Sequence, residues 1–198
     1  MHEAIDKLSR AIQIPTVSYT DVALRDESQF ERWERFIEES FPAVCRNLEM
    51  EKPAALALVF RWTGAREDLL PGALLAHFDV VPEGDPEKWT HPPFSGVVSD
   101  GYVWGRGTID DNLSHVAILQ AVEELVEAGF QPERTIYLCF GGDEEIGGTA
   151  GAQSLLQVGQ CGRARAVIGL VGILAQVEEL RRLAVIVDVL PVALDDHA

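Results

Sequence analysis

The chain has 198 residues, 47% hydrophobic and 24% charged, a globular mix that excludes a disordered or collagen-like polypeptide. Thirty-two Asp and Glu against sixteen Lys and Arg give a net charge of -16, which repels phosphate backbones and anionic lipid, so neither nucleic acid nor a membrane surface is expected as a partner. The three cysteines, Cys45, Cys139 and Cys161, are odd in number and widely spaced; this argues for reduced thiols in the cytoplasm and against a disulfide scaffold or a cysteine-type zinc site. The charged N-terminus shows no signal peptide, and the longest apolar stretch, Ala164 to Val177, is too interrupted to span a bilayer.

Ile5, Leu8 and Ile12 recur at helical spacing over Ala4 to Ile14, and Pro15 ends that helix. Ser28 is in place to cap a second helix, whose apolar stripe is Phe30, Trp33, Phe36, Ile37 and Phe41. Ala55 to Phe60 and Ala73 to Ala76 read as strands, and the second lacks alternation, as a buried parallel strand does. Pro82 to Pro93 is a polar loop, and Val97 to Trp104 a hairpin about Asp100-Gly101. A helix follows from about Asp111 to Ala128, stopped by Gly129. Thr135 to Phe140 is a buried strand, and another helix starts near Thr149. Gly159 to Arg182 is ambiguous, with a helix over Ile173 to Arg182, and Leu183 to Val189 is the last strand. Alternating strands and helices predict an α/β fold, a mainly parallel sheet with helices on both faces.

In such sheets ligands bind outside the carboxyl ends of the strands, and that is where the acidic residues fall. His77 and Asp79 follow the strand at Ala73. Two residues apart in extended chain, they share a side, so the imidazole can bind a metal while the carboxylate accepts its second N–H. A chance His-x-Asp on a loop fits the same letters. Asp110-Asp111 opens the long helix, either as capping carboxylates or with one carboxylate bridging two cations. The preceding Gly-Arg-Gly is neither a dinucleotide fingerprint nor a phosphate loop. Glu144-Glu145 follows the strand at Thr135 between two glycine pairs. Adjacent carboxylates repel, so a folded site holding both needs positive charge nearby; a cation supplies it, one carboxylate binding and the other acting as general base. The competing reading is a solvated acidic loop.

The motifs LLAHFDVVP, PPFSG, GRGTIDDN and GGDEEIGGTAGAQ, with the early AIQIPTVS, resemble the co-catalytic zinc exopeptidase family. That family includes aminoacylase-1, carboxypeptidase S, acetylornithine deacetylase, succinyl-diaminopimelate desuccinylase and peptidase T, and the spelling is most similar to the carboxypeptidase S and N-acyl-amino-acid hydrolase branch. The resemblance runs from about Ala11 to Gln153. It implies a three-layer α/β sandwich and a metallohydrolase cleaving the amide bond of an N-acyl amino acid or small peptide with a free carboxylate. His77 would bind one zinc with Asp79 orienting it. Asp110 would bridge two zincs and precede a cis peptide. Glu144 would be the general base, Glu145 a ligand of the second zinc, and Asp188 would complete the His77 site.

The chain departs from the family pattern at Asn112, where the branch usually has Lys, and at Val189-Leu190-Pro191, where Glu-Gly-Gly is usual. It ends at Ala198. The family's lid or dimerisation domain and the second half of its catalytic domain, with the last histidine ligand, are therefore expected to be absent. Complete relatives are often dimeric and hold two zincs; this chain is expected to retain one. The alternatives are an inactive remnant that folds and binds at most one metal, and a two-metal phosphohydrolase, for which Arg106 is the one basic group inside a motif.

Overall fold

The computed structural model describes residues 2–155 and 166–169. Five strands form one sheet in the order β1-β2-β6-β3-β7: β1 (Glu49–Ala54), β2 (Ala57–Trp62), β3 (Gly72–His77), β6 (Ile136–Gly141) and β7 (Ala166–Gly169). β3 lies parallel between β6 and β7, whereas β2 is antiparallel to both β1 and β6. The sheet is therefore mainly parallel, with β2 running against its neighbours. A separate two-stranded hairpin pairs β4 (Val97–Ser99) with β5 (Tyr102–Trp104). Its turn residues Asp100 and Gly101 have φ of 54° and 86°, the left-handed pair that a tight hairpin requires.

Both sheet faces are covered, and the strands alternate between them. Leu58, Phe60, Trp62, Leu74, Leu138 and Phe140 face a core shared with four helices. These are α1 (His2–Ile12), α2 (Glu27–Ser40), α3 (Pro42–Asn47) and α4 (Leu113–Glu127). Ala57, Val59, Ala73, Tyr137 and Cys139 face the other way, against Leu155 of α5 (Ala152–Leu155). Each large apolar side chain buried this way contributes roughly 1.5–3 kcal/mol, so the core fixes the strand ends that carry the acidic motifs.

Several boundaries differ from the sequence reading for physical reasons. Asp26, not Ser28, caps α2: its Oδ1 accepts the Ser28 N–H at 3.1 Å and the Ser28 hydroxyl at 2.6 Å. β1 has no apolar signal, because an edge strand of sequence EMEKPA needs little burial and its charges and Pro53 discourage further pairing. The helix expected from Asp111 starts at Leu113, after a distorted turn over Thr108–Asn112 that contains a cis Asp110–Asp111 peptide. The region left ambiguous contains β7. The expected helix at Ile173 to Arg182 and strand at Leu183 to Val189, with Asp188, lie outside the described residues.

One buried carboxylate joins the helical layer. Glu123 of α4 accepts the Ala43 and Val44 N–H groups at 2.8 and 2.7 Å and so caps the start of α3. Removing it strands two backbone donors. Glu123→Ala is expected to lower the unfolding free energy by about 1–3 kcal/mol, measured by urea denaturation, with Glu123→Gln losing less.

Candidate metal centre

β3 and β6 end level, with His77 paired to Gly141, so the segments that follow leave the sheet side by side. The Phe78 N–H donates to the Gly141 carbonyl at 2.9 Å. Residues 16–18 run alongside: the Val80 N–H donates to the Thr16 carbonyl at 3.1 Å, the Ser18 N–H to the Val80 carbonyl at 2.9 Å, and the Thr16 hydroxyl to the Phe78 carbonyl. The chain after His77 is thus held in extended form on both sides.

His77 Nδ1 lies 3.1 Å from the Asp79 backbone carbonyl and 3.4 Å from Asp79 Oδ1. Both are acceptors, so Nδ1 carries a proton and Nε2 is the nitrogen left facing the acidic cluster. The carbonyl is the nearer of the two, and the expected carboxylate contact lies beside it. The Asp79 carboxylate is fully buried and also binds the glutamate turn, Oδ1 accepting the Glu144 N–H at 3.1 Å and Oδ2 the Glu145 N–H at 3.2 Å. One residue thereby fixes the histidine tautomer with its main chain and aims the two glutamates with its side chain.

His77, Asp110 and Glu145 converge, each offering a ligand atom within 4.8 Å of the others. His77 Nε2 is 2.9 Å from Asp110 Oδ1. Glu144 stands beside this set, its Oε2 3.8 Å from the same nitrogen and its side chain 59% exposed. Burial pulls the His77 pKa down, but Asp79, Asp111 and Asp110 outweigh it and push it up to about 10. Burial and the neighbouring Asp110 raise Glu145. A cluster this acidic holds a proton on His77 where a cation could sit. The donor set of one tautomer-fixed imidazole and two carboxylates fits a catalytic zinc site.

Three supporting residues carry no separate signal in the sequence reading. Asp111, 7% exposed, accepts the His77 N–H at 3.3 Å through Oδ2, and burial pushes its pKa up to about 6 despite a Ser114 hydrogen bond and the charge of His77. Asp143, fully buried, accepts the Ala150 N–H at 2.6 Å and closes the glycine turn after Glu145. Thr16 clamps the chain at Phe78. The available clue to the two aspartates is that each stands beside a candidate ligand run in the motif. Asp79→Asn leaves one acceptor oxygen for two N–H groups and is expected to weaken zinc binding roughly 10–100-fold, read by competition with a chromogenic chelator.

The profile of peptidase family M20/M25/M40 matches residues 73–186, which span the whole cluster. A probable carboxypeptidase S-like 2 of Dictyostelium discoideum is 44% identical over 152 residues, 76% of this chain and 29% of that protein. Carboxypeptidase S of Saccharomyces cerevisiae is 39% identical over 163 residues, 78% of this chain and 28% of its own. The N-fatty-acyl-amino acid synthase/hydrolase PM20D1 of Xenopus tropicalis is 39% identical over 157 residues, 78% of this chain and 30% of its own. The chain therefore spans about three-tenths of the length of these relatives. In fold it is similar to human carnosine dipeptidase 1, with a TM-score of 0.62 and 17% identity over 75% of this chain and 33% of that one. A Bacillus subtilis dinuclear metal-binding peptidase gives a TM-score of 0.55 at 17% identity over 85% of this chain and 42% of that one. The chain belongs to peptidase family M20/M25/M40.

Proposed function

We propose that this chain supplies the metal-binding and proton-transfer groups of a zinc-dependent hydrolase cleaving the amide bond of N-acyl amino acids or small peptides with a free carboxylate. The observation that carries this reading is the meeting of His77, Asp110 and Glu145 beside a carboxylate, Glu144, left outside the set. The likeness to carboxypeptidase S and to the N-fatty-acyl-amino acid synthase/hydrolase supports the substrate class. The cytoplasmic setting rests on the three widely spaced cysteines.

His77 Nε2 and Asp110 would hold one zinc, with Asp188, which lies outside the described residues, and Asp110 and Glu145 would contribute to a second. Zinc in this position supplies Lewis acidity, making a water nucleophilic at neutral pH and stabilising charge on the carbonyl oxygen under attack. Glu144 takes the proton of the attacking water at Oε2 and delivers it to the amine nitrogen as the C–N bond breaks. Asp79 keeps the glutamate backbone fixed during both transfers. Asp111 and the residue 16–18 clamp hold His77 and its neighbours in register.

The chain provides one three-ligand set, His77, Asp110 and Asp188, so about one zinc per chain is expected to survive dialysis against a weak chelator. Metal analysis paired with an N-acyl amino acid assay tests the proposal. Zinc without turnover is the outcome for a chain that binds metal but needs groups outside itself. A chain that retains no zinc overturns the reading.

A further inference from the structure

Beneath the metal-binding edge lies a cage of rings. His115, in the first turn of α4, is fully buried and stacks on Phe140 of β6, with centroids 4.0 Å apart and planes at 28°. Trp33 of α2 meets it edge-on at 5.2 Å, and Phe78, after β3, at 5.8 Å. Two of these rings sit one step from the site. Phe78 lies between His77 and Asp79, and Phe140 precedes the Gly141-Gly142-Asp143 run that leads into Glu144. Phe78 also packs over Gly142, where an added Cβ would lie 2.5 Å from the ring. The cage thus joins the two strand ends that carry the site.

His115 brings two polar atoms into this apolar cage. Among the described residues neither Nδ1 nor Nε2 has a hydrogen-bond partner. An imidazolium has no acceptor there, and burial pushes the pKa down to about 3, with the charge of His77 acting in the same direction. The rings facing it from α2, from β6 and from the segment after β3 are uncharged, and His77 is the titratable group whose field reaches it.

We propose that His115 is a positioning residue that makes the metal-binding edge acid-labile: neutral, it is the ring on which Phe78 and Phe140 rest, and protonated, it leaves the cage and both strand ends lose their common support. This property belongs to the packing under the site and is tested without metal, so it stands or falls separately from the hydrolase reading. Linkage fixes the sign. The unfolded chain takes up a proton on this histidine near pH 6.5, whereas the folded chain refuses it until about pH 3. Its contribution is absent above about pH 6.5 and favours unfolding up to about tenfold more for each unit of pH below that.

The test is urea unfolding of the full chain, with metal removed by EDTA, at pH 8 and pH 5. His115→Phe keeps the ring and cannot be protonated. The rise in the unfolding constant between pH 8 and pH 5 is expected to be about thirtyfold smaller in His115→Phe than in the unsubstituted chain. Equal rises in the two proteins overturn the proposal, whatever their absolute stabilities. Should His115→Phe not fold, carbon-13 NMR of the histidine rings in the unsubstituted chain decides. The His115 ring is expected to remain neutral from pH 8 down to the onset of unfolding. Titration of that ring within the folded protein near pH 6.5 overturns the proposal.

Discussion

Glu144→Gln is expected to reduce amide hydrolysis by roughly 10²–10⁴-fold while leaving bound zinc unchanged, in any preparation that turns over an N-acyl amino acid. The reason is that the fold separates two adjacent carboxylates. Glu145 is partly buried and shares a volume with His77 and Asp110, whereas Glu144 is the more exposed and stands 3.8 Å from His77 Nε2. The backbone N–H groups of both are pinned by the two oxygens of Asp79, so a side-chain change at either leaves the turn in place. Glutamine preserves the shape of Glu144 and removes its capacity to take a proton. Glu145→Gln is expected to do the reverse, losing zinc first and activity as a consequence. Metal analysis alongside steady-state assays of both variants checks the assignment; zinc loss in Glu144→Gln with zinc retained in Glu145→Gln would exchange the two roles.

The parts legible in the sequence are those where one local rule dominates. TIYLCF and ALLA read as buried strands because both faces of the central sheet are covered, and Asp100-Gly101 marks its hairpin because only such a pair accepts two positive φ values. Acidic residues at strand ends and at the start of the long helix mark His77, the Asp110-Asp111 pair and the Glu144-Glu145 pair, and only the family resemblance chooses within each pair. What the sequence conceals depends on partners far along the chain. β1 is charged and exposed, and only pairing with β2 makes it a strand. β2 runs antiparallel to β6, a direction that no residue in ALVFRW encodes. The spacing of Asp79 from His77 is informative, but the role of its carboxylate is not, because the partners of that carboxylate are 65 and 66 residues away. His115 escapes notice because a histidine within an apolar helical stripe looks like any other core residue until both of its nitrogens are found without partners.

Zinc uptake is expected to release close to one proton per ion at neutral pH and to strengthen about a hundredfold between pH 6 and pH 8. In the metal-free chain both nitrogens of His77 face acceptors, the Asp79 carbonyl at 3.1 Å and Asp110 Oδ1 at 2.9 Å. Burial alone would favour the neutral ring, but the surrounding aspartates prevail and push the pKa up to about 10. The ring is therefore charged across the whole neutral range, and zinc must displace the Nε2 proton to bind. Each unit of pH removes one factor of ten of that competition until the histidine pKa is passed, above which affinity levels off. Glu145, raised by burial and by Asp110, adds to the slope only on the acid side. Asp110→Asn removes a ligand and also one of the charges that holds the proton. It should therefore bind zinc far more weakly, while Asp79 and Asp111 still hold the proton on His77 and keep the pH dependence of the remaining binding. Titration calorimetry in buffers of different ionisation enthalpy measures the released proton directly. A slope of one proton at pH 7.5 is expected, and a slope of zero would mean that His77 is already neutral and that the carboxylates around it do not act as a single electrostatic unit.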